Sequence, residues 1–502
     1  MNERVGEQLR GWDAATWRTA SGDPGMRSTV VALVLLEQEP DWTRLHERFD
    51  RLTRMVPALR KRPLYGITGV SSPRLALDPD FDLDVHLRRY RLPKGAGWPA
   101  LMDEARRMSL TDFDHDRPLW EAALIEGLPG GRAALLMKLH HSIADGQATV
   151  LIGLSLFEFG PQPNPEEPAA PPAPTAEDVR HREISRANLS DNVRFGLEAA
   201  QAVVKTATDL AIGTFTDPAT TWQRALELIA SVGRFAAVPD GPLSPLMTGR
   251  GTTYHFGAFS LPFPDLRAAA KDHDLTVNDA FMAAVGAGMD RYHRRHGQPA
   301  EQLRFNVPIS LRGDPGDRSG QASNAVTIAR FELPVADRDV PTRMAEAHAQ
   351  VARWRDEPAL RLADPLAEVS WVVPVPLLAS AARASDVTTS NVPGPPIPLF
   401  IAGAKVEATW PLVATIGAAV NVSMVTYDGT AYVGVSADDR AVPDTAELLE
   451  DLRAGFHEVT GKRIGSADPL APQRSTSAGS RSLAGSARPA KKRAARKPAA
   501  SA

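Results

Sequence analysis

Apolar positions change rhythm along this chain. Thr29–Leu36 (TVVALVLL) is apolar on both faces and rich in β-branched residues, the pattern of a buried strand. Trp42, Leu45, Phe49, Leu52 and Met55 then recur at helical spacing, which predicts a helix within Asp41–Met55. A second helix is predicted over Trp98–Met108. Ala133–Leu139 (AALLMKL) follows the turn residues Pro129-Gly130-Gly131 and reads as a strand, and Gln147–Phe159 reads as a buried helix. Strand, short polar turn and helix in succession form a platform on which proteins place functional groups.

Residues 161–174 (PQPNPEEPAAPPAP) are too rich in proline for a regular helix or a central strand. The stretch around Asn192–Ala236 is helical in pattern, broken near Asp217-Pro218, with Trp222, Leu226, Ile229, Val232 and Ala236 on one face. It reads as a bridging helical pair, with a surface that docks on lipid as the alternative. From residue 241 a second α/β pattern begins. Leu266–Ala270 and Asn278–Arg294 predict helices, Leu303–Ile309 a strand, and Asp444–Phe456 a closing helix. Val420–Tyr427 and Ala431–Ser436 flank Asp428-Gly429, a strong hairpin signal. Gly286-Ala287-Gly288 lies inside a helical pattern and lacks a third glycine, so it reads as helix packing and not as a dinucleotide fingerprint. The expected organisation is an N-terminal domain over 1–160, a Pro-rich and helical linker over 161–240, a C-terminal domain over 241–465 and a disordered tail over 466–502.

Composition sharpens this. The 502 residues include no cysteine, which excludes disulfides, cysteine nucleophiles and thiolate metal sites. The net charge of −3 hides an asymmetry. The tail carries eight Lys/Arg against Asp468 alone, a balance of +7 that leaves −10 on residues 1–465. The body is therefore no nucleic-acid binder; only Arg488–Lys497 (RPAKKRAARK) could be, with anionic membrane or plain solvation as competing roles. Met1–Arg10 carries no secretory signal, and no stretch approaches the ~20 apolar residues of a spanning helix. The chain reads as cytoplasmic, soluble or peripheral.

The strongest chemical signal is His140-His141-Ser142-Ile143-Ala144-Asp145-Gly146, between the apolar strand and a helix. No third ligand at metal-binding spacing accompanies the histidine pair, so metal ligation and purely structural histidines stand behind acid–base chemistry. An acyl thioester is already activated. Its transfer to a hydroxyl needs only a base that takes the hydroxyl proton and returns it to the departing thiolate, and histidine suits that work. Asp145 suits an orienting role, and Gly146 permits a tight turn.

H-H-x-x-x-D-G resembles the motif of the CoA-dependent acyltransferase superfamily. Pro118-Leu119-Trp120-Glu121 upstream, Asn278-Asp279, Val307–Arg312, Ser390–Pro395, Val420–Gly429 and Ala437-Asp438 follow the order of the bacterial wax ester synthase/acyl-CoA:diacylglycerol acyltransferase family, over roughly residues 8–460. The resemblance implies an α/β (α+β) fold of two chloramphenicol-acetyltransferase-like domains joined by a partly helical linker, with the active site at their interface. It implies His141 as general base, with His140, Asp145 and Gly146 completing the motif. Pro118, Leu119, Trp120, Asn278, Asp279, Arg312 and Asn391 are implied near the site or its pockets, and Arg312 is the candidate partner of Asp145. It also implies acyl-CoA as co-substrate, diacylglycerol or fatty alcohol as acceptor, no cofactor or metal, and peripheral association with the inner membrane or lipid droplets.

Each flanking residue also has a plainer reading. Trp120 could wall an acyl tunnel or fill core. Asn278 could cap the following helix, with Asp279 favourable in its first turn. Pro393-Gly394 suits a type II turn that would fix Asn391. Pro245-Leu246-Met247, Ser323-Asn324 and Thr409–Gly417 depart from the commoner family forms and bear on acceptor preference. A non-catalytic lipid-binding or granule-associated protein, and transfer to another hydroxyl, are the competing functions. A peptide-synthetase condensation domain should come with a carrier domain, for which the rest of the chain is too small.

Overall fold

The computed structural model describes residues 5–67, 71–143, 152–153, 155–176, 179–194, 208, 239–310, 326–355, 373–465 and 468–471. Expectations for Asp145, Gly146, Arg312, most of 192–236 and nearly all of the tail lie outside these residues.

In chain order the strands are β1 (Glu7–Gln8), β2 (Thr29–Leu36), β3 (Lys61–Leu64), β4 (Arg74–Leu77), β5 (Leu87–Arg91), β6 (Trp120–Glu126), β7 (Ala133–His140) and β8 (Tyr254–Pro262). They continue with β9 (Gln302–Ser310), β10 (Val326–Pro334), β11 (Val387–Val392), β12 (Phe400–Ile401), β13 (Ala404–Val413), β14 (Val420–Tyr427) and β15 (Thr430–Asp438). Two mixed six-stranded sheets carry the fold, ordered β12-β13-β2-β7-β6-β5 and β10-β9-β11-β14-β15-β8; a small third sheet is β1-β4-β3. β5 runs parallel to β6, and β11 parallel to both β9 and β14; every other described pairing is antiparallel.

The apolar runs become central strands because both of their faces are covered. β2 is flanked by β7 and β13, and β7 is buried along its whole length. Helix Trp42–Met55 starts where the Asp41 carboxylate accepts from the Arg44 N–H at 2.9 Å, and it buries Leu45, Phe49 and Leu52. Met55, on the same predicted face, is 47% exposed at the frayed end. The hairpin at Asp428-Gly429 forms as the sequence predicts, with positive φ at both residues, as a type I′ turn demands. The proline-rich segment 161–174 contains neither helix nor strand.

The second sheet packs on helix Val277–Arg295, which helix Thr445–Thr460 crosses closely. A Cβ on Gly288 would sit 2.6 Å from the Leu452 Cα, and one on Gly455 would sit 2.3 Å from the Ala284 carbonyl oxygen. Of the two glycines in Gly286-Ala287-Gly288, Gly288 is therefore the one that lies at the helix crossing, while Gly286 faces Val335.

The split into halves is not clean along the chain. β12 and β13 come from the C-terminal segment expected over 241–465, yet they complete the first sheet, and β13 pairs with β2 from Val413↔Val30 to Val406↔Leu36. β13 also lies against β15: a Cβ on Gly434 would fall 1.9 Å from the Pro411 carbonyl oxygen. Trp410 Nε1 donates to the Phe259 carbonyl at 3.1 Å, and the Tyr432 hydroxyl to the Glu407 carbonyl at 3.1 Å. β13 thus joins the two sheets. Near its far end, helix Gly11–Gly22 meets helix Val375–Arg383, where Arg383 Nη2 reaches both Asp23 carboxylate oxygens at 2.7 and 2.8 Å.

Candidate active site

β7 ends at His140, and the chain turns at once into a single 3-10 turn, His141–Ile143. Two backbone bonds fix that exit. The His140 N–H donates to the Leu119 carbonyl at 3.0 Å, and the His141 N–H donates to the Ser28 carbonyl at 2.8 Å. The histidine turn is therefore held between the entrances of β6 and β2.

The two histidines differ physically. His140 is buried, while His141 is partly exposed. The Ser142 N–H donates to His140 Nδ1 at 3.2 Å, and Ser142 Oγ lies 2.7 Å from the same nitrogen. An amide N–H can only donate, so Nδ1 carries the lone pair and the ring proton sits on Nε2. Burial, followed by the neighbouring imidazoles of His141 and His115, pushes His140 down to about 3. His140 is a neutral imidazole at neutral pH.

An aromatic and cationic shell surrounds it. Trp17, on helix Gly11–Gly22, presents its ring edge-on to His140 at 5.2 Å and also lies 4.7 Å from the His115 ring. Phe113 meets His140 in a T-shaped contact at 5.8 Å. Lys138 shares the strand face of His140, and its ammonium sits 4.0 Å above the Phe113 ring. That ammonium donates to the Thr111 carbonyl at 2.9 Å and pairs with Glu121 at 3.3 Å. Burial lowers the Lys138 pKa, opposed by Glu121. His115 and Arg27 sit beside Asp112, whose carboxyl is held down at about 2, chiefly by the His115 hydrogen bond. Trp17 Nε1 donates to the Tyr65 hydroxyl at 3.0 Å.

The Pro118-Leu119-Trp120 segment divides. Trp120 pairs with Leu139, so its side chain shares the Leu139 face, opposite His140. There its ring stacks on His86 at 4.8 Å and Phe49 at 6.0 Å, and Nε1 donates to the Leu59 carbonyl at 2.7 Å. Trp120 fills core. Leu119 instead packs with Trp17 and Phe113 on the histidine side.

Two readings in the second half need correction. Asn278 is not the cap of helix Val277–Arg295. Thr276 is, and Asp279 closes the capping box, accepting from the Thr276 N–H at 2.9 Å and lying 3.0 Å from His348 Nδ1. Asn278 lies one turn from Met282, its amide 3.5 Å from Sδ. Gly394 lacks the positive φ of a type II turn. Glycine is required there because a Cβ would sit 2.0 Å from the Thr426 carbonyl oxygen, and its N–H donates to Thr426 Oγ1 at 3.0 Å. Asn391 stands partly buried near the end of β11, opposite Met424. Asp438 builds the turn after β15, accepting from the N–H groups of Gly251, Arg440 and Ala441.

The sequence reading missed Trp17, Tyr65, Phe113, His115 and Lys138. The pair Phe113–His115 directly precedes the Asp116–Trp120 motif, and Lys138 is a lone charge in an otherwise apolar strand; both were available signals. Among the described residues, one group has metal-like spacing: His296, Asp444 and Glu447. Its Asp444 already bonds the Tyr292 hydroxyl at 2.5 Å and His296 Nε2 at 2.8 Å, and no residue of the histidine turn takes part. No helix among the described residues is long and apolar enough to cross a membrane.

Comparison with known proteins agrees with this architecture. Residues 9–281 match the wax ester synthase/diacylglycerol acyltransferase catalytic domain, and residues 322–460 match the C-terminal domain of that family. A putative diacylglycerol O-acyltransferase of Mycobacterium tuberculosis is 31% identical over 453 residues, 90% of this chain and 91% of that protein. A probable diacylglycerol O-acyltransferase of the same species is 27% identical, over 90% of this chain and 96% of the relative. Among solved structures, the wax ester synthase/diacylglycerol acyltransferase of Marinobacter aquaeolei shares the fold with a TM-score of 0.58 at 21% identity, covering 91% of this chain and 100% of that one. The first condensation domain of the calcium-dependent antibiotic synthetase does so with a TM-score of 0.60 at 18% identity, covering 93% and 99%. With both family regions matched in order on a fold of two joined sheets, the chain belongs to the wax ester synthase/diacylglycerol acyltransferase family.

Proposed function

We propose that this protein transfers a long acyl chain from acyl-CoA to the free hydroxyl of diacylglycerol, giving triacylglycerol and free CoA, with fatty alcohol as a second acceptor that gives wax ester. His141 is the general base. It takes the acceptor proton as the oxygen attacks the thioester carbonyl. The tetrahedral intermediate then expels the CoA thiolate, which recovers that proton. No covalent acyl-enzyme forms, and the chain has no cysteine to carry one.

The observation that supports this reading most is the division of labour in the histidine pair. His140 is buried and kept neutral by its surroundings, while His141 stands partly exposed at the strand end. Trp17, Leu119 and Phe113 build the wall behind the pair, and Asn278 and Asn391 are second-half polar groups for the substrates. From the resemblance alone, Asp145, Gly146 and Arg312 are assigned to shaping the loop that follows His141. Pro118 delivers the chain to that wall. The enzyme works against the cytoplasmic face of a membrane or a lipid droplet, where its acceptor resides.

The test offers palmitoyl-CoA with diacylglycerol or hexadecanol to the wild type and to His141→Ala, following CoA release and ester formation. Ester from at least one acceptor, reduced by about 10²–10⁴-fold in the variant, is the expected result. Undiminished ester formation by the variant would remove His141 from the mechanism. A wild type that binds lipid but forms no ester would favour the non-catalytic, granule-associated role.

A further inference from the structure

Residues 181–194 form a helix whose two faces are chemically distinct. Its inner face is fixed. Ile184 is fully buried, Asn188 Nδ2 donates to Ser71 Oγ at 2.7 Å, and the Asp191 carboxylate pairs with buried Arg74 at 2.6 Å. The opposite face follows the i, i+4, i+7, i+11 stripe and carries Arg182, Arg186, Leu189 and Val193. Leu189 is 67% exposed and Val193 56% exposed. Ile67, 71% exposed, adjoins the same helix, since its N–H donates to Ser185 Oγ at 2.9 Å, one turn before Leu189. Arg182 and Arg186 are exposed and meet no carboxylate among the described residues. One stripe of this helix thus carries two exposed aliphatic side chains and two exposed guanidiniums that pair with no carboxylate among the described residues.

This face is also tied to the histidine turn. The helix begins where His181 Nδ1 donates to the Tyr65 carbonyl at 2.9 Å. The Tyr65 hydroxyl accepts from Trp17 Nε1, and Trp17 lies against His140. Three side chains connect the helix to the proposed reaction centre.

We propose that the Arg182/Arg186/Leu189/Val193 stripe, with Ile67, is the surface on which this protein rests on an anionic lipid interface. The inference deepens the proposed function by naming the face presented to the lipid that holds the acceptor, and it rests on that reading. The guanidiniums pair with anionic headgroups, while Leu189, Val193 and Ile67 enter the acyl boundary. Solvent alone gives no reason for a well-anchored helix to combine these groups on its outer face, and anionic lipid matches both the charge and the apolar area.

The protein has no cysteine, so an introduced thiol is its sole labelling site. Full-length Leu189→Cys, Val193→Cys and, as a control on an exposed position of the C-terminal half, Gln298→Cys are labelled with an environment-sensitive fluorophore. They are then mixed with vesicles of phosphatidylglycerol and phosphatidylcholine. The expected result is a blue-shifted emission at 189 and 193 and none at 298. The double variant Arg182→Glu/Arg186→Glu, with the basic tail intact, should partition onto these vesicles about tenfold less or weaker still. Vesicle binding with unchanged emission at 189 and 193 would assign attachment to another surface, such as the tail, and overturn the proposal. A shift that grows with protein concentration in the absence of lipid would show a second copy on this face and overturn it equally. Transfer to a short soluble alcohol, measured without vesicles, reads the proposed function separately. Its loss with the blue shift intact condemns the catalytic reading alone, and its survival without the shift condemns the docking face alone.

Discussion

The two six-stranded sheets use their buried positions differently. Behind the end of β7, the first sheet buries a lysine, a neutral histidine, Trp17 and Phe113, with the partly exposed His115 against Trp17. The second sheet buries aliphatic and aromatic side chains under helix Val277–Arg295, which Gly288 and Gly455 let helix Thr445–Thr460 approach to backbone contact. Burial shifts titratable groups in both regions, but the lowered His140 and Lys138 lie together beside the histidine turn. The raised Asp386 and the lowered His293 of the second half are instead held by hydrogen bonds to Ser244 and to backbone groups. β13 connects the two sheets by pairing with β2 on one side and crossing β15 at Gly434. The sheet that carries the histidine turn is therefore completed by a strand of the other half, and stability lost in the second half should reach that turn.

That contrast can be broken most severely at the crossing. Gly434→Ala would drive a Cβ into the Pro411 carbonyl of β13, where both partners are backbone. A loss of about 3 kcal/mol in urea unfolding, with activity falling in parallel, is expected. A variant of wild-type stability would mean that the sheets separate easily. Trp17→Ala acts on the other region. Truncating a buried indole should cost about 3 kcal/mol and leave Tyr65 and His140 without their partner. Here transfer should fall further than stability explains, because the wall of the histidine turn is gone. If the rate per folded molecule is unchanged, Trp17 is scaffold only.

A smaller and more selective effect concerns pH. His140 is lowered to about 3 when folded, against an ordinary value near 6.5. Between those values the unfolded chain binds a proton that the native state refuses, so stability falls as pH drops through this window. At pH 5 the share due to His140 should be about 2 kcal/mol relative to pH 8. His86 and His293, also lowered by burial, add to the same trend. The check is therefore the difference between wild type and His140→Asn, whose unfolding free energy should vary less with pH. Identical pH dependence in the two proteins would contradict a buried, neutral His140. The smallest effect is expected at the partly exposed Asp23–Arg383 pair between helices of the two halves. Arg383→Met should cost about 1 kcal/mol, less at high salt.

Much of the scaffold was legible because it rests on local pattern. β2 and β7 are continuous apolar runs, the helices at 42–55 and 277–295 carry helical spacing or near-complete burial, and Asp428-Gly429 announces its own hairpin. β13 was not legible as part of the first sheet. Its burial alternates residue by residue, as a half-covered strand should, but its partner β2 lies far away in sequence, and Pro411 weakens the strand signal. Pro411 is tolerated because β12 covers only the opposite end of β13, at Ala404 and Lys405. At the site, the motif located the histidine turn and its family resemblance already implied His141 as the base; what the sequence did not hold was the burial and the Ser142 hydrogen bond that keep His140 neutral. Asn278 was misread because Thr276, two residues earlier, competes for the cap and has Asp279 at the reciprocal position. Gly394 was misread because a glycine needed for close approach looks, in sequence, like one needed for positive φ.

We assign opposite roles to the adjacent histidines, His141 as base and His140 as a buried structural imidazole. Single-turnover transfer from palmitoyl-CoA, measured for His140→Asn and His141→Ala beside their urea unfolding curves, tests that assignment directly. His141→Ala should unfold like the wild type and lose about 10²–10⁴ in rate. His140→Asn should lose stability and keep most of its rate per folded molecule. The reverse pattern, a stable but inactive His140→Asn and an active His141→Ala, would contradict it.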